Sequence, residues 1–252
     1  IKKFGGKEKI FIIGAGSNTL INDKIFNGIV IKLSKNFSNI SLLPNGIIVA
    51  GSACGDKKLS EFARDNEIGG LEFLSCIPGT IGGGLRMNAG CFNREFKDIL
   101  VSVQAIDKKG RVITIPASKI LFKYRNNNLS KDLIFLSASF KGEKKAKHKI
   151  EEEMKKLRTI KDSTQPTKIK TSGSTFKNPI NQTKKKVWEL IRESVPLHTS
   201  FGDAYISEKH CNFFVNNNKA SFNDMKKLID FVAESVEKKT GIKLEKEIKI
   251  LE

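Results

Sequence analysis

Long apolar runs are missing from this sequence. No stretch of the 252 residues approaches the roughly 20 apolar positions needed to cross a bilayer. The longest apolar run near the start, Ile10 to Ile13, is also too short for the core of a secretion signal. Cysteine is scarce: Cys54, Cys76, Cys91 and Cys211 lie far apart, and no pair has metal-ligand or redox spacing. That argues against a metal centre and against a disulfide framework. It fits free thiols in a reducing compartment, so the expected location is the cytoplasm. No internal repeat and no low-complexity tract is present. The first residue is Ile, not Met, one short run before a glycine loop, so the natural N-terminus is expected further upstream.

What is abundant is lysine. The formal net charge is +18, which suggests an anionic partner, either nucleic acid or a phosphate-bearing small molecule. The lysines are scattered, as at Lys184 to Lys186, and no basic stripe is interleaved with aromatic residues as single-strand binders need. Most of the charge therefore reads as a solvated face. A hydrophobic content of 39% with 17 Phe indicates a globular chain able to bury a core in one large or two modest domains.

The first half alternates short β-rich runs with glycine. "KIFIIGAG" reads as a strand entering a glycine loop, and "GIVIKL", "GIIVAG", "LVSVQAID", "VITI" and "LIFLSASF" read as further strands. "KKLSEFARDNEI" reads as a helix with Leu59, Phe62 and Ala63 apolar and Ser60 internal. Residues 141–161 form a charged helix with one apolar stripe, Ala146, Ile150, Met154, Leu157 and Ile160. Residues 163–170, with Pro166 and no periodicity, read as a linker. The second half is α+β. "VWELIRES" is a short helix, with Trp188 assigned to the core. "SFNDMKKLIDFVAESVEKKTG" is a longer helix, with a capping box at Ser221 and Asp224 and a C-cap at Gly241. Met225, Leu228, Ile229, Val232 and Val236 form its inner face. "IKLEKEIKIL" then alternates, with Ile242, Leu244, Ile248 and Ile250 on one side and Lys246 interrupting them.

Two glycine loops carry the chemical signal. "GAGSN", Gly14 to Asn18, follows a strand directly; glycines let the backbone approach a ligand, and successive amides can cradle a pyrophosphate. It lacks the third glycine and the helix of the dinucleotide fingerprint, so a plain strand-to-turn connection stays open. "IPGTIGGGLRMNAG", Ile77 to Gly90, is the stronger signal, with five glycines, Pro78, Thr80 and Asn88 within 14 residues. Two such loops suggest an extended ligand with a diphosphate and a flat ring system.

These loops, the pair Tyr124-Arg125, "GSTFKNP", "SEKHCNFFVN" and the terminal "LEKEI" occur in one order, and together they closely resemble the UDP-N-acetylenolpyruvoylglucosamine reductase family across essentially the whole chain. No Tyr-bearing insertion precedes "TSGSTFKNP", which is similar to the shorter of the family's two types. The resemblance implies an α+β protein: a two-lobed FAD-binding domain, with residues 1–34 the remainder of the first lobe and 35–158 the second, then a separate α+β substrate-binding domain over 159–252. It implies FAD as cofactor, with Gly14, Ala15, Gly16, Ser17, Asn18, Pro78, Gly79, Thr80, Gly83, Asn88, Ala89 and Gly90 as its binding residues. It also implies NADPH and a UDP-sugar as partners of a monomer, with no metal, membrane or nucleic acid. A hydride from NADPH reaches the enolpyruvyl alkene by way of FAD, and a proton is added to the neighbouring carbon.

Three residues would carry that chemistry. Hydride addition pushes charge onto the carboxylate conjugated to the alkene, and Arg125 matches the arginine that meets it with two donors. Ser174 matches the proton donor, a poor acid in water that can serve a strongly basic intermediate over a short transfer. Glu247 matches the C-terminal glutamate, whose neutral form could hydrogen-bond the developing charge; its alternating neighbours equally suit an exposed strand carboxylate. Lys177, Asn178 and His210 match substrate-binding positions, and for His210 a satisfied buried histidine stays open. The chain departs from the family pattern at Asn127, where Ser is usual, at Lys246, where Pro is usual, and at Cys76, where Gly is usual. Two other readings compete: another FAD-dependent oxidoreductase of the same superfamily, and a basic nucleic-acid-binding protein without catalysis.

Overall fold

The computed structural model describes residues 9–167 and 169–252. In chain order the strands are β1 (Ile10–Ile13), β2 (Thr19–Ile21), β3 (Ile29–Lys32), β4 (Ile40–Leu42), β5 (Ile47–Gly51), β6 (Ile68–Gly69), β7 (Gly90–Cys91), β8 (Arg94–Glu95), β9 (Leu100–Ile106), β10 (Val112–Pro116), β11 (Ile134–Lys141), β12 (Glu143–Lys144), β13 (Thr171–Ser174), β14 (Ser200–Phe201), β15 (Ala204–Ile206), β16 (Phe213–Asn216) and β17 (Lys249–Leu251). The α-helices are α1 (Asp56–Asp65), α2 (Ile81–Met87), α3 (Lys147–Thr164), α4 (Val187–Ser194) and α5 (Phe222–Thr240). The chain divides into two units, residues 1–15 with 27–161 and residues 16–26 with 162–252.

The first unit is built on a five-stranded antiparallel sheet in the order β10-β9-β11-β5-β4. In β5 the two-residue period is plain: Ile48 and Ala50 are fully buried while their neighbours are half-buried. Leu59, Ser60 and Ala63 of α1 face the same core as Phe73, Leu74, Ile81, Leu85, Phe96 and Phe140. The expected loop at Ile77 to Gly90 contains a helix instead. Three of the seven α2 residues are glycine, which intrinsic propensity disfavours by about 1 kcal/mol each. Tertiary contacts override it. The Ile81 and Gly82 amides donate to the carbonyls of Cys54 and Ser52, both at 2.9 Å. A Cβ on Gly84 would lie 2.4 Å from the Phe96 ring, so only glycine lets α2 sit there.

The second unit holds a four-stranded antiparallel sheet, β13-β16-β15-β14, and a parallel pair, β17 with β2. Its core joins Phe176, Leu190, Ile206 and Phe214 to the buried face of α5, Leu228, Ile229, Val232 and Val236, with Met225 partly buried beside them. Ser221 and Asp224 form the expected capping box: the Asp224 amide donates to Ser221 Oγ at 3.1 Å and the Ser221 amide to Asp224 Oδ2 at 2.9 Å. Asp23 Oδ2 accepts the next amide, Phe222, at 2.7 Å. Gly241 ends the helix in the left-handed region, at φ 71°.

Three other expectations need correction. The charged helix starts at Lys147 and runs to Thr164, into the segment read as a linker. Trp188 is 38% exposed, because the spacing of Val187, Leu190 and Ile191 points α4 inward and leaves Trp188 on its rim. The terminal alternating stretch is a strand only over Lys249–Leu251. It changes partner midway: residues 245–247 run beside Thr175 to Lys177, and residues 249–251 beside β2. Among the described residues no helix is long and apolar enough to cross a membrane, and no group of three or more His, Cys, Asp or Glu could hold a metal ion.

The capping geometry of α5 sets a stability expectation. Ser221→Ala should cost about 1 kcal/mol and Ser221→Gly only a few tenths, seen as a lower urea midpoint at unchanged slope.

Candidate functional site

In the first unit the two glycine loops meet. A Cβ on Gly14 would lie 2.4 Å from Thr80 Oγ1, so the first loop reaches the second only because position 14 has no side chain. Ala15 and Pro78 are exposed, and the chain passes into the second unit at Gly16, which has φ 79°. The second loop is tied down by its own backbone. Gly79 O accepts the Asp56 amide at 3.3 Å, and Thr80 bridges to Gly55. Gly83 is exposed on the first turn of α2.

Beside this loop Asp56 is 1% exposed, and both of its carboxylate oxygens lack a hydrogen-bond partner; so do the buried hydroxyls of Ser52 and Ser60. Burial raises the pKa of the Asp56 carboxyl well above the usual carboxylate range. Burial, with Asp56 next in weight, pushes the Cys54 thiol up to about 11. The exposed glycine at Gly83 leaves backbone that a diphosphate could approach closely. With the Cβ-free approach at Gly14, this makes the loops fit a cofactor such as FAD.

The second loop ends at Asn88, in the left-handed region at φ 42° and fully buried. Its side chain is committed to the protein: Nδ2 donates to Glu95 Oε2 at 3.1 Å and to Lys123 O at 3.2 Å, and Oδ1 accepts the Lys97 amide at 3.1 Å. The Ala89 amide donates to Gly84 O at 2.8 Å. Gly90 has no room for a Cβ, which would lie 2.2 Å from Arg94 O. Arg125 comes to this point. It sits at the tip of a turn closed by Lys123 and Asn126, with φ 55°, an uncommon value for a non-glycine residue. Its Nη2 donates to Gly90 O at 3.3 Å, and its guanidinium lies 4.9 Å from the centroid of the Tyr124 ring.

In the second unit Ser174 ends β13, opposite Phe213, just after an irregularity in the ladder. Gly173 supplies the kink with φ 76° and has open space around it, so glycine is required there by conformation, not by crowding. Thr175 O accepts the Glu247 amide at 2.8 Å and the Ile248 amide at 3.4 Å. Asn18 Nδ2 donates to Glu247 O at 3.1 Å, and Asn18 O accepts the Lys249 amide at 2.9 Å. Ser174, Glu247 and Asn18 are therefore joined through adjacent backbones. The Lys177 amide donates to Glu245 O at 2.9 Å, and its ammonium pairs with the Glu245 carboxylate. Asn178 Oδ1 accepts the first amide of α4, Val187, at 3.0 Å. His210 Nδ1 accepts the Asn212 amide at 3.3 Å, and its ring packs edge-on against Phe213 at 4.8 Å. Burial lowers its pKa. With Nδ1 accepting, the neutral imidazole carries its proton on Nε2.

A family model described as the C-terminal domain of UDP-N-acetylenolpyruvoylglucosamine reductase matches residues 165–251, and one described as an FAD binding domain matches residues 6–116. The UDP-N-acetylenolpyruvoylglucosamine reductase of Pelagibacter ubique is 74% identical over 251 residues, covering 100% of this chain and 83% of that protein. The chain belongs to the UDP-N-acetylenolpyruvoylglucosamine reductase family. The reductase of Rickettsia massiliae is 47% identical over 245 residues, covering 96% of the chain and 82% of that protein. The crystal structure of the Thermus caldophilus reductase superposes with a TM-score of 0.86 at 28% identity, covering 98% of the chain and 87% of that structure.

The three departures from the reductase pattern have structural accounts. Asn127 is buried; its Nδ2 donates to Leu85 O at 2.9 Å and its Oδ1 accepts the Leu129 amide at 3.0 Å, so it anchors the Arg125 turn to α2. Lys246 Nζ donates to Asp230 Oδ1 at 2.7 Å, which assigns its charge to α5. Cys76 is buried, and its carbonyl accepts Lys161 Nζ at 2.6 Å. Two residues the sequence reading left without a role stand out as well. Asp56 is the buried acid beside the second loop. Asn212 is a polar residue within the buried run Cys211 to Val215, a pattern that could have flagged it.

Two measurements check this geometry. Gly14→Ala should destabilise the protein by about 1–3 kcal/mol. Adding Thr80→Ala should recover part of that loss, so the double-mutant cycle is non-additive; additivity would contradict the close approach. His210 gives a pH dependence. Its folded pKa is below the unfolded value of 6.5, so unfolding takes up a proton as pH falls. The stability it confers is present above about pH 6.5 and is lost as pH falls through that value. His210→Gln should flatten the slope of unfolding free energy on the acid side.

Proposed function

We propose that the chain catalyses the NADPH-dependent reduction of UDP-N-acetylglucosamine enolpyruvate to UDP-N-acetylmuramate, a step in peptidoglycan precursor synthesis, with FAD as resident cofactor. The observation that carries this reading is the hydrogen bond of the Glu247 amide to Thr175 O, which sets Ser174 and the C-terminal glutamate on adjacent segments in a chain of the reductase family. When bound, FAD supplies the hydride. The residues that would hold it are those of the two loops, Gly14 to Asn18, Pro78, Gly79, Thr80, Gly83, Ala89 and Gly90, with Asn88 acting by fixing the loop's end.

The protein's own work is electrostatics and a proton. Arg125, stacked on Tyr124, pairs with the substrate carboxylate through two parallel donors and stabilises the charge that hydride addition drives onto it. Ser174 Oγ then delivers a proton to the carbon that bears the ether oxygen. Glu247, in its neutral form, would donate a hydrogen bond to the developing charge. Lys177, Asn178 and His210 orient the sugar nucleotide, Asn178 while holding the start of α4. In this reading residues 1–34 and 35–158 serve the cofactor and 159–252 the sugar nucleotide. The protein acts as a monomer in the cytoplasm, and the product feeds cell-wall growth, on which cell shape and division depend.

The test separates the two half-reactions. In Ser174→Ala, NADPH should still bleach the yellow flavin band. Reoxidation by the enolpyruvyl substrate should slow by about 10²–10⁴, the worth of a positioned proton donor. Normal turnover in this variant would overturn the assignment.

A further inference from the structure

We propose that Asn212 is a positioning residue for the proton-transfer step, holding Ser174 and Glu247 in register with each other. The proposal rests on the reading of Ser174 as proton donor. Asn212 is 2% exposed and spends its whole side chain on one segment. Its Oδ1 accepts the Phe176 amide at 3.0 Å, and its Nδ2 donates to Phe176 O at 2.9 Å. Its own carbonyl accepts the Thr175 amide at 2.8 Å. The carboxamide thus behaves as an extra peptide unit. It continues the β13–β16 pairing past Ser174, the last residue of the ladder, which pairs with Phe213.

The geometry has two consequences. Thr175 and Phe176, the residues directly after Ser174, are both hydrogen-bonded on one side by Asn212. Their other side carries the C-terminal stretch: Thr175 O receives the Glu247 amide, and Phe176 bridges Lys246. A shift of the Asn212 amide would move Ser174 and Glu247 together. The Asn212 backbone is itself fixed, since its amide donates to His210 Nδ1. Burial explains the choice of residue. An apolar side chain here would strand the amide and carbonyl of Phe176 in the core, and a buried unpaired polar group is strongly unfavourable. Asparagine offers a donor and an acceptor at the spacing of a peptide, and no charge.

Only a role in proton delivery would change one half-reaction selectively. The experiment uses the full-length, FAD-loaded protein and compares Asn212→Ser, Asn212→Asp and Ser174→Ala with the parent. Asn212→Ser is too short to bond the Phe176 amide and carbonyl together; Asn212→Asp keeps the shape and loses the donor to the Phe176 carbonyl. Flavin content, the rate of bleaching by NADPH and the rate of reoxidation by UDP-N-acetylglucosamine enolpyruvate are measured for each.

The expected result is normal flavin content and normal bleaching in both Asn212 variants, with reoxidation slowed about 10- to 100-fold, the scale for a misplaced reacting group. The loss should fall on kcat with KM little changed, and the solvent deuterium effect on reoxidation should grow. If either folded Asn212 variant reoxidises within about two-fold of the parent while Ser174→Ala is slow, the positioning role is overturned and Asn212 is merely structural. Bleaching slowed as much as reoxidation overturns it equally. If Ser174→Ala itself reoxidises normally, the proton-donor reading fails and this proposal falls with it.

Discussion

Past Ser174 the chain is held by a side chain as well as by backbone. Beyond the last ladder pair, Ser174 with Phe213, Asn212 supplies both halves of a peptide hydrogen bond to Phe176. From that clasp the arrangement of the second unit follows. The Thr175 carbonyl is turned to the Glu247 amide; the C-terminal stretch is drawn alongside, and then carries on to pair with β2. The neighbourhood of Asn212 is apolar, which makes each satisfied bond worth more and each missing one more damaging.

The first unit works by a different constraint, the exclusion of Cβ atoms. Gly14 against Thr80, Gly84 against Phe96 and Gly90 against Arg94 are each closer than any side chain permits. These approaches bring two loops into contact and fix the end of the second loop where the Arg125 turn can reach it. Arg125 in turn holds a left-handed backbone, the sort of local strain that persists when surrounding bonds over-determine it. Those bonds are visible: the Lys123–Asn126 pairing, the contact with Gly90, and Asn127 tied to Leu85. Asp56 is buried beside the same loop with neither carboxylate oxygen partnered, and burial raises its pKa.

Much of this was readable from residues. The cap, inner face and end of α5 follow from Ser221, the 3.6-residue period and Gly241, because a long amphipathic helix is set by local signals. The strands of the first sheet follow from alternation. Helix α2 was not readable, because its glycines disfavour a helix and only the Cys54 and Ser52 carbonyls and the Phe96 ring make one. Trp188 misled because size suggests burial while α4 is too short to bury more than one face. The terminal stretch misled because alternation reports a face, not a partner, and the partner changes at Glu247. In the site, the glycine loops, Arg125, Ser174 and Glu247 were legible as motifs. Asn212 left only a trace, a polar residue in an apolar run, and Asp56 left none, since its burial depends on packing that no local pattern encodes.

We propose that Arg125 holds the substrate carboxylate and that Ser174 protonates the substrate carbon. A crystal structure of the oxidised protein with FAD and UDP-N-acetylglucosamine enolpyruvate measures this directly. The expected result is a two-donor pairing of Arg125 with the enolpyruvyl carboxylate and Ser174 Oγ about 3 Å from the ether-bearing carbon, the reach needed for proton transfer. A carboxylate bound by other residues, or a Ser174 hydroxyl turned away with a different donor at that carbon, would contradict it.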